Sequence, residues 1–185
     1  MDKMKWLISF LVAVLIFFGW NQYSQSSYYM KNDTIFEVNK EDIFFISIAQ
    51  NKDSLSLSFD GEQWSIDDHD SLKIKQNTLD TFFEKIISLK KGSLVSKNKK
   101  NWDKYMVGDS SGTHLQLKDY KGDVVAEAMI GRSSSEWSSS NIRINNSIEV
   151  FQTNENISWQ VNPSATYWGE VPAVEEDSLS VDSQQ

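Results

Sequence analysis

The chain has no cysteine. That excludes disulfide staples, thiolate zinc sites, thiol catalysis and lipid attachment through a cysteine. Positive charge is scarce: 18 Lys and Arg stand against 26 Asp and Glu, a net charge of −8. This is the wrong sign for a surface that neutralises nucleic-acid phosphates. Only two histidines, His69 and His114, are available for imidazole chemistry. At 185 residues there is room for one globular domain with short appendages, not for a two-domain enzyme. Disorder of the bulk is excluded as well, because 39% apolar and 12% aromatic residues suffice for one packed core.

What is there begins with an apolar leader. From Trp6 to Tyr23 no residue is charged, and eighteen residues at about 1.5 Å each reach roughly 27 Å, enough for a thin hydrocarbon core. Trp6 at one end and Trp20 with Tyr23 at the other suit the two interfaces, where an amphipathic ring keeps its polar tip wet. Lys3 and Lys5 orient the segment with its start in the cytoplasm. A cleaved signal would end in small residues, whereas Trp20, Asn21, Gln22 and Tyr23 are bulky or polar, so residues 1–23 read as a retained single-pass signal anchor. The expected location is a bacterial inner membrane, with the C-terminal domain extracytoplasmic, in the periplasm of a Gram-negative cell. Residues 24–33 form a polar linker.

From residue 34 the pattern turns to strands, at Ile35–Val38, Ile43–Ile48 and the strictly alternating Leu55–Phe59. Asp60-Gly61 predicts a type I′ hairpin, with Trp64 and Ile66 returning into the core. Thr78 to Lys91 predicts a helix, capped by Asn77 or Thr78 and ended at Gly92, with Leu79, Phe82, Phe83, Ile86 and Leu89 on one face. Ser93–Ser96 reads as a short strand, and Asn101–Met106 as one helical turn. Strands follow at His114–Leu117, Val124–Ile130, Asn141–Ile144 and Ile148–Phe151. The expected fold is α+β, a mainly antiparallel sheet of two strand-rich halves with one amphipathic helix packed on it, plus the N-terminal transmembrane helix. The domain is expected over 34–169, and the acidic stretch 170–185 as a disordered tail.

The order of these elements resembles the domain-of-unknown-function family 4340. The resemblance runs from about Phe36 to Phe151. It rests on Trp64, Ile66, Leu79, Phe82, Phe83, Leu89, Trp102, Tyr105, Leu115, Leu117, Ile130, Gly131, Arg143, Val150 and Phe151. It departs after the tyrosine, where Met106-Val107-Gly108-Asp109-Ser110-Ser111 stands in place of a Gly-Leu and Asp-x-Pro pattern. The resemblance implies a bacterial, membrane-anchored extracytoplasmic protein of accessory role, some relatives accompanying gliding-type ABC transporter components. It carries over no catalytic residues.

Candidate chemistry is sparse. Gly108-Asp109-Ser110-Ser111-Gly112 has the look of a serine-nucleophile loop, but neither histidine has a triad neighbourhood, and the residues are ordinary turn formers. Asp67-Asp68-His69-Asp70 offers ligand types, yet four consecutive residues cannot converge on one ion. Neither metal nor other cofactor is expected, nor enzymatic activity. The lysines at 90, 91, 97, 99, 100 and 104 are the one basic concentration, facing anionic lipid or an acidic partner, or else solvent. Arg143, on a strand, is expected to pair with a carboxylate. Trp102, Tyr105, Arg132 and Trp137 are the candidate partner contacts. Trp137, in a Ser-rich loop, either contacts a partner or folds back on the sheet edge. The expected partners are the lipid bilayer, through residues 6–23, and an envelope protein bound in a non-enzymatic role, with no nucleic acid. A small-ligand or glycan binder and an envelope hydrolase are the alternatives.

Overall fold

The computed structural model describes residues 10–20, 34–134 and 136–172. Residues 10–20 are helical (α1), and their large apolar side chains stand exposed. Lys3, Lys5, Trp6 and Tyr23, named for the expected anchor, lie outside the described residues. Among the described residues no helix is long and apolar enough to cross a membrane.

Alternation builds the domain. In β1 (Phe45–Gln50) and β2 (Asp53–Phe59), Ile46 and Ile48 pair with Leu57 and Leu55, all four buried. β3 (Trp64–Ile66) returns along β2. On its other side β1 pairs with β6 (Thr113–Lys118), setting Ile46 against Leu117 and Ile48 against Leu115. From there β7 (Val124–Arg132), β8 (Ser140–Ile144) and β9 (Val150–Thr153) meander outward. β5 (Lys91–Ser96) closes the far edge beside β9. The expected two halves are therefore one antiparallel eight-stranded sheet, ordered β3-β2-β1-β6-β7-β8-β9-β5. A small second sheet pairs β4 (Lys73–Ile74) with β10 (Gly169–Glu170), which draws in Glu170, the first residue of the expected tail. Residues 173–185 lie outside the description.

Helix α2 (Gln76–Ile87) covers the sheet with Leu79, Phe82, Phe83 and Ile86, all buried. Each such side chain contributes roughly 1.5–3 kcal/mol through removal from water. The helix begins and ends earlier than the periodicity predicts. Its N-cap is Lys75, without a side-chain cap bond. Its C-terminal exit is driven by pairing: the Leu89 carbonyl accepts from Ile35 N–H, Lys90 bridges to Thr34, and Lys91 and Gly92 already belong to β5. Ile35 and Phe36 are buried in the core but form no strand, since beyond the Thr34 bridge no neighbouring strand pairs with them.

The Asp60-Gly61 hairpin forms with a longer turn than type I′. Phe59 pairs with Trp64, leaving the four-residue loop 60–63. Asp60 Oδ1 accepts the N–H groups of Glu62 and Gln63, and Gly61 takes a φ of +102° that a side chain would disfavour. Asn101–Met106 follows on from a 3-10 turn (Lys99–Asn101) and holds a single helical-turn bond, Tyr105 N–H donating to Asn101 O at 3.1 Å, without extending into a helix. The last meander strand begins at Val150, leaving Ile148 exposed.

The C-terminal segment completes the core. Ile157, Val161 and Trp168 are buried against it. Trp168, in the short helix α3 (Ala165–Trp168), is fully buried, packs edge-on against Phe82 and donates its indole N–H to Asn162 O at 2.7 Å. Replacing it leaves a large void under α2 and an orphaned carbonyl. Trp168→Ala should lower unfolding free energy by about 3–5 kcal/mol, read from urea titration followed by circular dichroism.

Candidate functional site

The strand registers bring several loops to one end of the sheet. Gln50 pairs with Asp53, Thr113 with Ile130, Arg132 with Ser140, and Lys91 with Thr153. The β1–β2 turn, the segment 106–112, the β7–β8 loop and the segment after β9 therefore lie together. Between them opens a broad, polar cleft of about 860 Å³, lined by Gln50, Lys52, Met106, Arg132, Trp159 and Asn162 among others.

Arg132 and Trp159 form its most distinctive wall. The exposed Arg132 guanidinium lies 5.1 Å from the Trp159 ring centre, and Trp159 is itself 60% exposed. Such a cation–π pair sets a cationic group over a large aromatic face. Trp137 stands at the same end of the sheet, on the β7–β8 loop, with 92% of its surface exposed. Its backbone is nevertheless pinned, since the Trp137 carbonyl accepts from Asn156 Nδ2 at 3.0 Å, and the Glu136 N–H donates to Ser133 Oγ. Trp137 thus does not fold back on the sheet.

The other two expected contacts are placed differently. Trp102 is only 8% exposed; its indole N–H donates to Ile148 O at 3.2 Å and its ring lies 3.9 Å from the Arg143 guanidinium carbon. It belongs to a second, small core with Val107, Met129 and Val150 on the sheet face away from α2. Tyr105 is half-buried against the same cluster and donates its hydroxyl to Val95 O. Gly131 explains how this segment lies so close to β7: a Cβ there would collide with the carbonyls of Tyr105 and Met106. The structure therefore brings Arg132 and Trp137 together at one end and keeps Trp102 and Tyr105 in packing roles.

Arg143 anchors that second face. Its side chain is nearly buried, donating from Nε to Val107 O, from Nη1 to Asn145 O and from Nη2 to Asp109 Oδ1 at 2.8 Å. Next to it, in a hollow of about 240 Å³, Glu127 Oε1 meets His114 Nε2 at 2.6 Å and Gln116 Nε2 at 3.1 Å. Burial pushes the Glu127 carboxyl up, but the hydrogen bonds from His114 and Gln116 and the charges of His114 and Arg143 outweigh it and hold it below the usual carboxylate range.

The remaining candidates are structural in their contacts. Ser111 Oγ donates to Asp103 Oδ1 within the Gly108–Gly112 turn, and Asp109 faces Arg143. Asp67 accepts from Ser58 Oγ, and Asp68 carries a positive φ in its turn. Among the described residues no three His, Asp or Glu side chains gather as a metal set. The lysines are strung along β5 and beyond it: Lys91 starts the strand, Lys97 pairs with Glu149, Lys99 lies over Trp102 and Lys104 over Tyr105. Trp159 and the His114–Glu127 pair were not among the expected site residues. A tryptophan amid Asn, Ser and Gln was the available signal for the first; the second needed the strand register.

Compared with known families, residues 64–182 match the model described as domain of unknown function (DUF4340), and the chain belongs to that family. No curated protein and no solved structure matches it.

Two tests follow from the second face. Arg143→Met strands two carbonyls and removes the ring stack on Trp102, so it should cost about 2–4 kcal/mol in chemical denaturation. Asp109→Ala should cost far less, because Asp109 is 83% exposed and solvent replaces its partner. For Glu127 the lowered pKa means added stability above its unfolded pKa, lost as pH falls through the folded one. The melting temperature of Glu127→Gln should therefore lie below the parent's at neutral pH, the gap closing below about pH 4.

Proposed function

We propose that this member of the DUF4340 family is a single-pass, membrane-anchored extracytoplasmic protein whose domain is a non-enzymatic binding component of an envelope or transporter-associated complex. The cleft beside Arg132 and Trp159 is the site that takes the partner. One observation carries the reading: Arg132 and Trp159 present a solvent-facing cation–π pair on a polar cleft, while Trp102 and Trp168 are spent on packing. Exposed Arg and Trp on a concave wall are the residue types that dominate binding energy at protein contacts.

The anchor is supported by the sequence, uncharged from Trp6 to Tyr23 behind Lys3 and Lys5. It is supported too by residues 10–20, a helix apolar on every side with its large side chains exposed. A helix of that kind is stable only where something other than water surrounds it. A small-ligand or glycan role is the second reading, favoured by the cleft volume and the aromatic wall.

Full-length protein in intact bacterial cells tests both parts. Asn146→Cys, on an exposed turn of a chain otherwise free of cysteine, should react with a membrane-impermeant maleimide without lysis; reaction only after lysis would overturn the location. A photocrosslinking residue replacing Gln50 on the cleft wall should give one discrete protein adduct that Arg132→Ala or Trp159→Ala abolishes. An adduct unchanged in both variants sinks the cleft as partner site, and a glycan adduct in its place selects the second reading.

A further inference from the structure

The chain enters the domain at the same end of the sheet that carries the cleft. Thr34 bridges to Lys90, Lys91 pairs with Thr153, and the Lys90 N–H donates to Asn154 Oδ1. Arg132 and Ser140, the last pair before the Trp137 loop, sit at that end as well. Between the edge strand β5 and β8 there are two strand steps, each about 4.8 Å, so the entry point and the loop are near neighbours. Ten residues, 24–33, separate Thr34 from the uncharged segment ending at Tyr23. Fully extended they reach about 36 Å at most.

From this we infer that the cleft end of the domain faces the bilayer and that Trp137 is seated in the lipid–water interface. The inference rests on the anchored reading above and deepens it: the partner of the cleft is met at the membrane surface. The side chain fits the task, since an indole exposed over 92% of its surface on a pinned backbone presents an apolar body with a polar edge, the combination that gathers at headgroup depth. Exposed charges at this end are mixed, Lys52 and Arg132 with Asp53 and Glu136. The opposite end is mixed as well, Asp60, Glu62, Asp119 and Asp123 with Lys97, Lys99, Lys100 and Lys121, so the tether and the tryptophan, not charge, set the orientation. One tryptophan would not hold a free protein on a bilayer. Here it has only to orient a domain that a short tether already confines near the surface.

Absence of cysteine makes the test direct. Full-length protein carrying a single fluorescent label at Val14→Cys, Ser138→Cys or Lys121→Cys is reconstituted in phosphatidylcholine–phosphatidylglycerol vesicles containing lipids spin-labelled near the headgroup for 138 and 121, and deep in the acyl chain for 14. Strong quenching at 14 reports the anchor. Quenching at 138 at least about twofold greater than at 121, and falling to the level of 121 when Trp137→Ala is added, is the expected result. Quenching at 14 with equal, low values at 138 and 121 overturns the orientation and leaves the anchor standing. Quenching at 138 that survives Trp137→Ala overturns the role of this tryptophan. No quenching at 14 removes the anchor, and the inference with it.

Discussion

A sheet whose inner face carries Ile46, Ile48, Leu57, Leu115, Leu117 and Ile142 is unstable in water until that face is covered, and every other element answers to this need. Helix α2 supplies four buried side chains, and the chain before β1 adds Ile35 and Phe36. The remaining cover comes from the far end of the sequence, where Ile157, Val161 and Trp168 fold back against Phe82 and its neighbours. The pairing of β10 with β4 fastens that return to the start of α2, and the Lys75 N–H donates to Trp168 O. A core assembled from both ends of the domain leaves its middle loops free to differ in shape.

The outer face follows a different logic. Towards β1, β2 and β3 it is lined by small hydroxyls, Ser47 opposite Ser56 and Ser58 opposite Ser65, which need no cover. Towards β7, β8 and β9 it is closed by the segment 99–112, held by Gly131 beneath and by Arg143 through its carbonyls. Arg143 is buried mainly to hold backbone; its one carboxylate partner, Asp109, is largely in water. That arrangement fixes where residues 106–112 run, and hence one wall of the cleft.

Most strands could be read from alternation, because Leu55 and Leu57 or Leu115 and Leu117 must share a face whatever they pair with. The 3.6-residue spacing of Leu79, Phe82, Phe83 and Ile86 likewise located the helix, though not its ends. Those were set by contacts distant in sequence, Thr34 with Lys90 and Lys91 with Thr153. The same limit hid the continuity of the sheet: nothing local in β1 or β6 announces that Ile46 will face Leu117. Arg132 and Trp137 were legible as exposed residues from their polar, Ser-rich surroundings. Trp102 was misleading, since an aromatic in a charged loop looks exposed until the strand it covers is known. Trp159 had only its polar neighbours as a signal, and Glu127 depended on the strand register that sets it opposite Gln116.

The position of β5 has a temporal consequence. It is synthesised between α2 and β6 yet lies at the outer edge, beyond β9, so its only ladder partner in the sheet emerges some fifty residues later. β1 likewise waits for β6 across the whole of α2 and β5. The first three strands form one local meander and β6 to β9 a second, but joining β1 to β6 and β5 to β9 requires the closure of long loops, pairings that cost chain entropy before they reward it.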